Sequence, residues 1–263
     1  VIYVYGEDKE ADSIPRAEVI EEAKAHHSKL FVANHPRIGL LLRDKLATNL
    51  LLNSNHIPVP SIIDEGSPGQ LVFSNLRFGS NTQSSVISDG KLRGDRYNAE
   101  YVDTTIHVDG VPYYCSLRAL TAAGQLLDLW PRFRPASDGD ASVHTYDVPR
   151  DPYLLNHFYD KVAMPLRERV QRLCVEIEKV IGVGFYAHDI LYDPINDKLF
   201  VCEIGHKFHD YDVPEHFGDL AIFVPWLKPH AWADHPEQAA DARSRHIRQR
   251  AGSNWHVATE SRQ

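Results

Sequence analysis

An α+β chain with a short α/β segment in front is the fold class that this sequence predicts. Three observations predict it. The first 55 residues alternate strand-like and helix-like runs. The middle and the far end each contain a pair of apolar strands joined by a tight turn. Two helical patterns stand between those hairpins.

In order, Val1–Tyr5 is a short β-like run ended by Gly6. Pro15 opens a helix with Ala17, Val19, Ile20 and Ala23 on its apolar side, the first helical turn being where proline costs least. Leu30–Ala33 reads as a strand and Asn34-His35-Pro36 as a turn. From Arg37 the pattern Leu40, Leu41, Leu46, Leu50, Leu51 predicts one helix running to about Leu52. Ile57-Pro58-Val59-Pro60 is extended, because each proline forces its predecessor out of the helical region. Strands are expected near Ser61–Asp64, Leu71–Asn75, Val86–Ile87 and Tyr97–Val102. The glycine-containing polar loop from Phe78 to Ser85 suits either a plain connection or a phosphate-cradling turn. Val111–Thr121 and Leu126–Arg134 form a hairpin carrying Arg118, Arg132 and Arg134. Helices cover Pro152–Ala163 and Leu166–Ile181 with a break or restart at Pro165, and Gly182 ends the second. An apolar run, Leu220–Trp226, and a helix-compatible segment, Pro236–Gln249, close the chain.

The last hairpin, Gly182–Asp210, is the informative one. Its strands, Phe185–Tyr192 and Leu199–Ile204, are apolar except for Asp189 and Glu203. A turn centred near Asn196 sets these two acids opposite each other. Directly opposed side chains have Cβ atoms roughly 4.5–5.5 Å apart, where like charges repel. Two anions so placed among Ile, Leu, Phe and Val need a cation or a proton between them. Oxygen donors without thiolates suit Mg²⁺, which fills the rest of its shell with phosphate oxygens and water. A register shift of one residue, or an arginine or lysine partner in the core, is the competing explanation.

Composition narrows the function. The chain has 263 residues, 43% apolar and 24% charged, as ordinary globular proteins have. A formal charge of −8 argues against nucleic acid or an anionic membrane as partner. No apolar run approaches membrane-spanning length. Cys115, Cys174 and Cys202 lack metal spacing and are expected to be reduced core residues of a cytoplasmic protein. Seven of the 15 histidines follow residue 205, with His206 and His209 closest together. Zinc there, with Asp189 and Glu203, is a rival reading as a metal hydrolase. A weaker rival is a carbohydrate or peptide binder using Trp130, Trp226 and Trp232. The chain begins at Val1 inside a strand-like run, so its N-terminal segment is expected to be a truncated one. Nothing in the sequence sets the oligomeric state.

Three stretches in this order resemble the ATP-grasp ligases, the superfamily of glutathione synthetase and D-alanine–D-alanine ligase, and in particular its carboxylate–amine ligase branch. They are Val32-Ala33-Asn34-His35-Pro36 with Arg43-Asp44-Lys45 and His56-Ile57-Pro58-Val59-Pro60; Ala99-Glu100-Tyr101-Val102; and the hairpin. The resemblance covers roughly residues 30–210. It implies an ATP-grasp fold in which two α+β subdomains grip a nucleotide. It divides the chain into a partial α/β segment (1–55), a small nucleotide-binding subdomain (56–105), a large subdomain with the metal hairpin (106–245) and a tail (246–263). It implies ATP and Mg²⁺ as cofactors and an acylphosphate intermediate attacked by an amine, so that the partners are small carboxylates and amines. Lys45 would contact nucleotide phosphate; Glu100, Tyr101 and Val102 would hold adenine; Asp189 and Glu203 would bind metal. Gly79 and Ser80 belong to a lid over the phosphates, and Arg118 and Arg132 are the candidates for the catalytic arginines. Three features depart from the pattern: the span between the glycine-containing loop and Glu100 is short, leaving little room for the usual helix, and two positions differ. The strand before the loop, Leu71–Arg77, has no lysine, leaving Arg77 as a substitute charge. Gly205 stands where an asparagine follows the second acid. A nucleotide-binding protein without catalysis is the alternative that these departures suggest.

Overall fold

A computed structural model of the chain describes residues 2–3, 10–78, 84–139, 141–206 and 216–227, together with Arg245 and Gln249; residues 2–3 and 10–12 are described by backbone alone. The fold is α+β, with helices packed on antiparallel sheets and one small parallel pair. Strands β1 (Ile2–Tyr3) and β2 (Val32–Ala33) pair in parallel around helix α1 (Glu10–His26), the expected α/β opening. Helix α1 begins five residues before Pro15, which therefore lies inside it and not at its start.

The single helix expected from Arg37 is two, α2 (Pro36–Arg43) and α3 (Lys45–Ser54). Asp44 breaks it. Its Oδ1 accepts hydrogen bonds from the Leu46 and Ala47 amides, both at 3.1 Å, and so caps α3. The break makes Lys45 the first residue of α3 and buries it.

The small sheet has the order β4 (Ser85–Ile87), β3 (Val72–Leu76), β5 (Arg96–Glu100). The strand expected at Ser61–Asp64 is reduced to one bridge, Ile62 to Ala99. The large sheet has five strands: β6 (Thr105–Val108), β7 (Val111–Ala122), β8 (Gln125–Pro135), β9 (Phe185–Asp193) and β10 (Lys198–Gly205). Strand β7 carries β8 along one edge and shares the other between β6 and β9, with β10 outside β9.

Helix α4 (Pro152–Phe158) runs through a π turn, Tyr159–Ala163, into α5 (Met164–Ile181). The break or restart expected at Pro165 is a restart: α5 begins at Met164 with Pro165 in its first turn, where proline is tolerated, and the π turn stands just before it. Leu155, Phe158, Val170 and Cys174 from these helices form the main core with Leu117, Ala119, Phe133 and Ile190 of the sheet. A second core joins Leu42, Leu52, Ile177, Ile181, Tyr186, Val201 and Ile204. All three cysteines are free thiols. No helix among the described residues is long and apolar enough to cross a membrane.

Candidate functional site

The two sheets face each other across a cleft, and residues 101–104 connect them. The cleft is partly open to solvent. Phe73, Asn75, Tyr97 and Ala99 line it from the small sheet; Ser116, Arg132, Asp189 and Leu191 line it from the large one. Asn49 of α3 steadies the small-sheet wall, its Nδ2 donating to the Pro60 carbonyl at 2.8 Å and the Tyr97 hydroxyl at 2.9 Å.

Asp189 and Glu203 are register partners, but not for the reason that the sequence suggests. The turn lies half a residue earlier than expected. The ladder from Lys198–Asp193 to Val201–Ile190 is on course to set Cys202 opposite Asp189. A β-bulge at Cys202 takes up one residue, and pairing resumes with Glu203 opposite Asp189. Cys202 and Glu203 then both line the cleft.

Each acid meets basic side chains. Asp189 Oδ1 is 3.0 Å from Arg118 Nη1 and 2.9 Å from Arg132 Nη2. Arg118 sits directly opposite Asp189 on β7; Arg132 reaches from β8 across Ser116, whose small side chain leaves the room. Burial alone would raise the Asp189 carboxyl, yet the two guanidinium groups outweigh it and hold its pKa below the ordinary carboxylate value. Glu203 leans the other way. Burial raises its pKa, with partial relief from the Lys45 ammonium, whose Nζ is 3.8 Å from Glu203 Oε2. Behind the sheet, burial depresses the His188 pKa to about 3; its Nε2 is 2.9 Å from the Thr121 hydroxyl.

The cleft thus gathers Lys45, Glu100, Tyr101, Val102, Arg132, Asp189 and Glu203 from the residues singled out in the sequence, with Arg118 beside Asp189. Arg77 is elsewhere. Its Nε and Nη2 donate to the Asp44 carboxylate at 2.9 and 2.6 Å, and it braces the helix break. Gly79 and Ser80 lie outside the described residues. Ser84, just after them, donates to Ser142 Oγ at 2.9 Å, and both hydroxyls border the cleft.

Among the described residues, no group of three His, Cys, Asp or Glu side chains is placed to hold a metal. His206 is buried next to Gly39, and His209 lies outside the described residues. Trp130 is buried edge-on against Phe217, and Trp226 stacks on Tyr159 at 4.5 Å; both are packing residues. Trp232 also lies outside.

Sequence reasoning placed Asn34 at a strand end and turn but missed what it holds. Its Nδ2 donates to the Phe185 and His206 carbonyls at 3.1 and 3.3 Å, and its Oδ1 accepts from the Phe185 amide at 2.5 Å, tying the α/β opening to the start of β9. An Asn ending an apolar run before His-Pro was the available signal; the structure buries it at φ 54°, a conformation that Asn adopts more readily than most residues.

No family model matches the sequence, and no curated protein matches it. Solved structures do. N5-carboxyaminoimidazole ribonucleotide synthetase from Thermotoga maritima is 14% identical over 75% of this chain and 49% of its own, with a TM-score of 0.47. L-amino acid ligase from Bacillus licheniformis is 10% identical over 74% of this chain and 53% of its own, with a TM-score of 0.44. The chain spans about half the length of each. ATP-grasp ligase PsnB, in complex with a precursor variant, Mg and ADP, is 13% identical over 84% of this chain and 70% of its own, with a TM-score of 0.48. All three likenesses are at low sequence identity and at TM-scores below 0.5.

Proposed function

We propose that the cleft binds ATP with Mg²⁺ and that the protein is an ATP-dependent ligase joining a small carboxylate to an amine. The observation supporting this most directly is the convergence, in one cleft, of a buried lysine, an arginine and two opposed carboxylates, with a second arginine bound to one of those carboxylates. The donor set fits a hard cation. Glu203 is a partly buried carboxylate whose charged form burial disfavours, and a divalent ion near it and Asp189 would restore that charge. When bound, the ion supplies charge neutralisation and orientation for the phosphates.

The chain's own residues do the rest. Lys45 brings an ammonium to the phosphates from the start of α3. The Glu100 and Tyr101 amides are engaged by the Ser61 and Leu71 carbonyls, so adenine falls to the Val102 backbone and the Glu100 side chain. Arg118 and Arg132 stabilise negative charge as the acylphosphate forms, and the dry walls around Leu191 and Phe73 exclude water from it. The segment containing Gly79 and Ser80 is proposed to cover the phosphates, and the boundary between the two gripping subdomains to fall near residue 105.

A second reading has a specific observation in its favour: Asp189 is already neutralised by two arginines, and strand β3 with its flanks, Leu71–Arg77, contains no lysine. On that reading the protein binds nucleotide without turning it over. Isothermal titration of ATP with Mg²⁺ and with chelator tests the site. Mg²⁺-dependent binding at micromolar concentrations is expected, and no binding in either condition rejects it. ADP release against a panel of acids and amines separates the ligase from the silent binder.

A further inference from the structure

Asp189 has two competing demands on it. One oxygen of its carboxylate serves both Arg118, at 3.0 Å, and Arg132, at 2.9 Å. Arg132 is almost wholly buried, Arg118 and Asp189 largely so. Two guanidinium groups brought to one oxygen repel each other, and the carboxylate between them offsets that repulsion. A divalent ion shared by Asp189 and Glu203 would bring the local count to four positive charges, five with Lys45, against two carboxylates. Such a cluster is unstable in a cleft of low polarity unless the arginines acquire another anion. Arg132 lines the cleft and Arg118 stands beside it on Asp189; both side chains are long enough to turn from Asp189 toward the cleft, and planar guanidinium pairs match tetrahedral oxyanions.

We propose that Asp189 exchanges partners: a divalent ion displaces Arg118 and Arg132 from it, and the released pair becomes the receptor for a phosphoryl oxyanion. While the arginines hold Asp189, the oxyanion site is shut. With metal bound, the latch opens. Metal and oxyanion therefore help each other, and by linkage each raises the affinity of the other by the same factor. The exchange rests on the reading of Asp189 as a metal ligand. It adds an order: metal first, then the phosphoryl group that Arg118 and Arg132 hold.

The experiment uses the full chain in chelator with inorganic phosphate as probe. Wild type, Asp189→Asn and the double variant Asp189→Asn/Arg132→Gln are titrated calorimetrically. Asp189→Asn, with its arginines unlatched, is expected to bind phosphate roughly tenfold or more tightly than wild type, and the double variant to lose that gain. Equal phosphate affinity in all three overturns the exchange, as does a gain that the double variant keeps.

Asparagine leaves two guanidinium groups without their anion and can cost the fold, so a reciprocal arm is needed. Arg118→Gln removes one competitor, and Mn²⁺ binding to the nucleotide-free protein, read by paramagnetic resonance, should tighten by roughly fivefold or more. Unchanged or weaker Mn²⁺ binding overturns the proposal. MgATP binding by wild type is scored separately. Its failure beside a gain in these arms rejects the nucleotide reading and leaves the exchange standing.

Discussion

Asp44 and Asp189 are both partly buried acids gripped by arginine, and the difference between them is instructive. Asp44 accepts two backbone amides of its own helix and a two-pronged bond from Arg77, and lines no part of the cleft. Burial would raise its pKa, but these bonds win and hold it low. Asp189 also has a lowered pKa, but its ion partners are side chains, and it faces the cleft. An acid fixed by the backbone cannot trade partners without unwinding a helix. An acid fixed by mobile side chains can. The first arrangement builds the fold; the second is what a binding site needs.

The largest expected effect tests the cleft side of this contrast. Glu203→Gln should abolish Mg²⁺-dependent nucleotide binding, a loss beyond the roughly 10–100-fold that removing an outer-shell partner costs a metal site. Its melting temperature should stay close to wild type. The pH dependence has a defined sign. The folded pKa of Glu203 is above its ordinary 4.5, so metal affinity should fall as pH drops through that raised value, where the carboxylate takes up its proton. Folding stability from this group runs oppositely, favoured at low pH and lost as pH rises through the folded pKa. Titration of Mn²⁺ across this window checks the first and urea denaturation across it the second, and both dependences assigned to Glu203 should vanish in Glu203→Gln.

Asp44→Ala should show the converse pattern. Loss of the cap costs about 1–2 kcal/mol, measurable by urea denaturation. Nucleotide binding should weaken only through the displaced Lys45. If Asp44→Ala harms binding more than stability, the division between structural and exchangeable acids is wrong.

His188 sharpens the comparison from a third position, a buried group kept neutral. Its pKa is about 3 folded against 6.5 as the ordinary value. The unfolded chain therefore takes up a proton below pH 6.5 that the folded one refuses until about 3. Stability should decline across that interval by at most about 1.4 kcal/mol per pH unit from this residue. The contribution should disappear in His188→Gln, as denaturation curves at pH 7 and pH 5 would show.

The two acids were legible in the sequence because charge inside an apolar strand conflicts with burial, and that conflict needs no knowledge of the fold. The break at Asp44 was not. Leu40, Leu41, Leu46, Leu50 and Leu51 keep helical spacing straight through it, and the deciding partner, Arg77, is 33 residues away. The reach of Arg132 to Asp189 depends on Ser116 lying between them in the sheet, which only the β7–β8 and β7–β9 registers reveal. Strand β6 was missed because Thr105–Val108 is too short to display alternation. The π turn before Pro165 has no side-chain signature at all, since it is a response of the backbone.

The smallest expected effect concerns the bulge itself. Deleting Cys202 would let the ladder from Lys198 continue regularly, and Glu203 would still arrive opposite Asp189, with Ile204 opposite His188 as now. The deletion variant should therefore fold cooperatively. What it loses is the local bend and extra twist that a bulge imposes, which here turns Cys202 and Glu203 together toward the cleft. Metal-dependent binding should then drop several-fold, well short of the loss in Glu203→Gln. Cys202→Ala keeps the bulge and removes only a thiol whose pKa burial and the neighbouring acids push to about 12, so its binding should match wild type. If Cys202→Ala weakens binding as much as the deletion does, the thiol matters and the bend does not. If neither has any effect, opposition of the two acids is sufficient and their aim is set by Lys45 and the arginines alone.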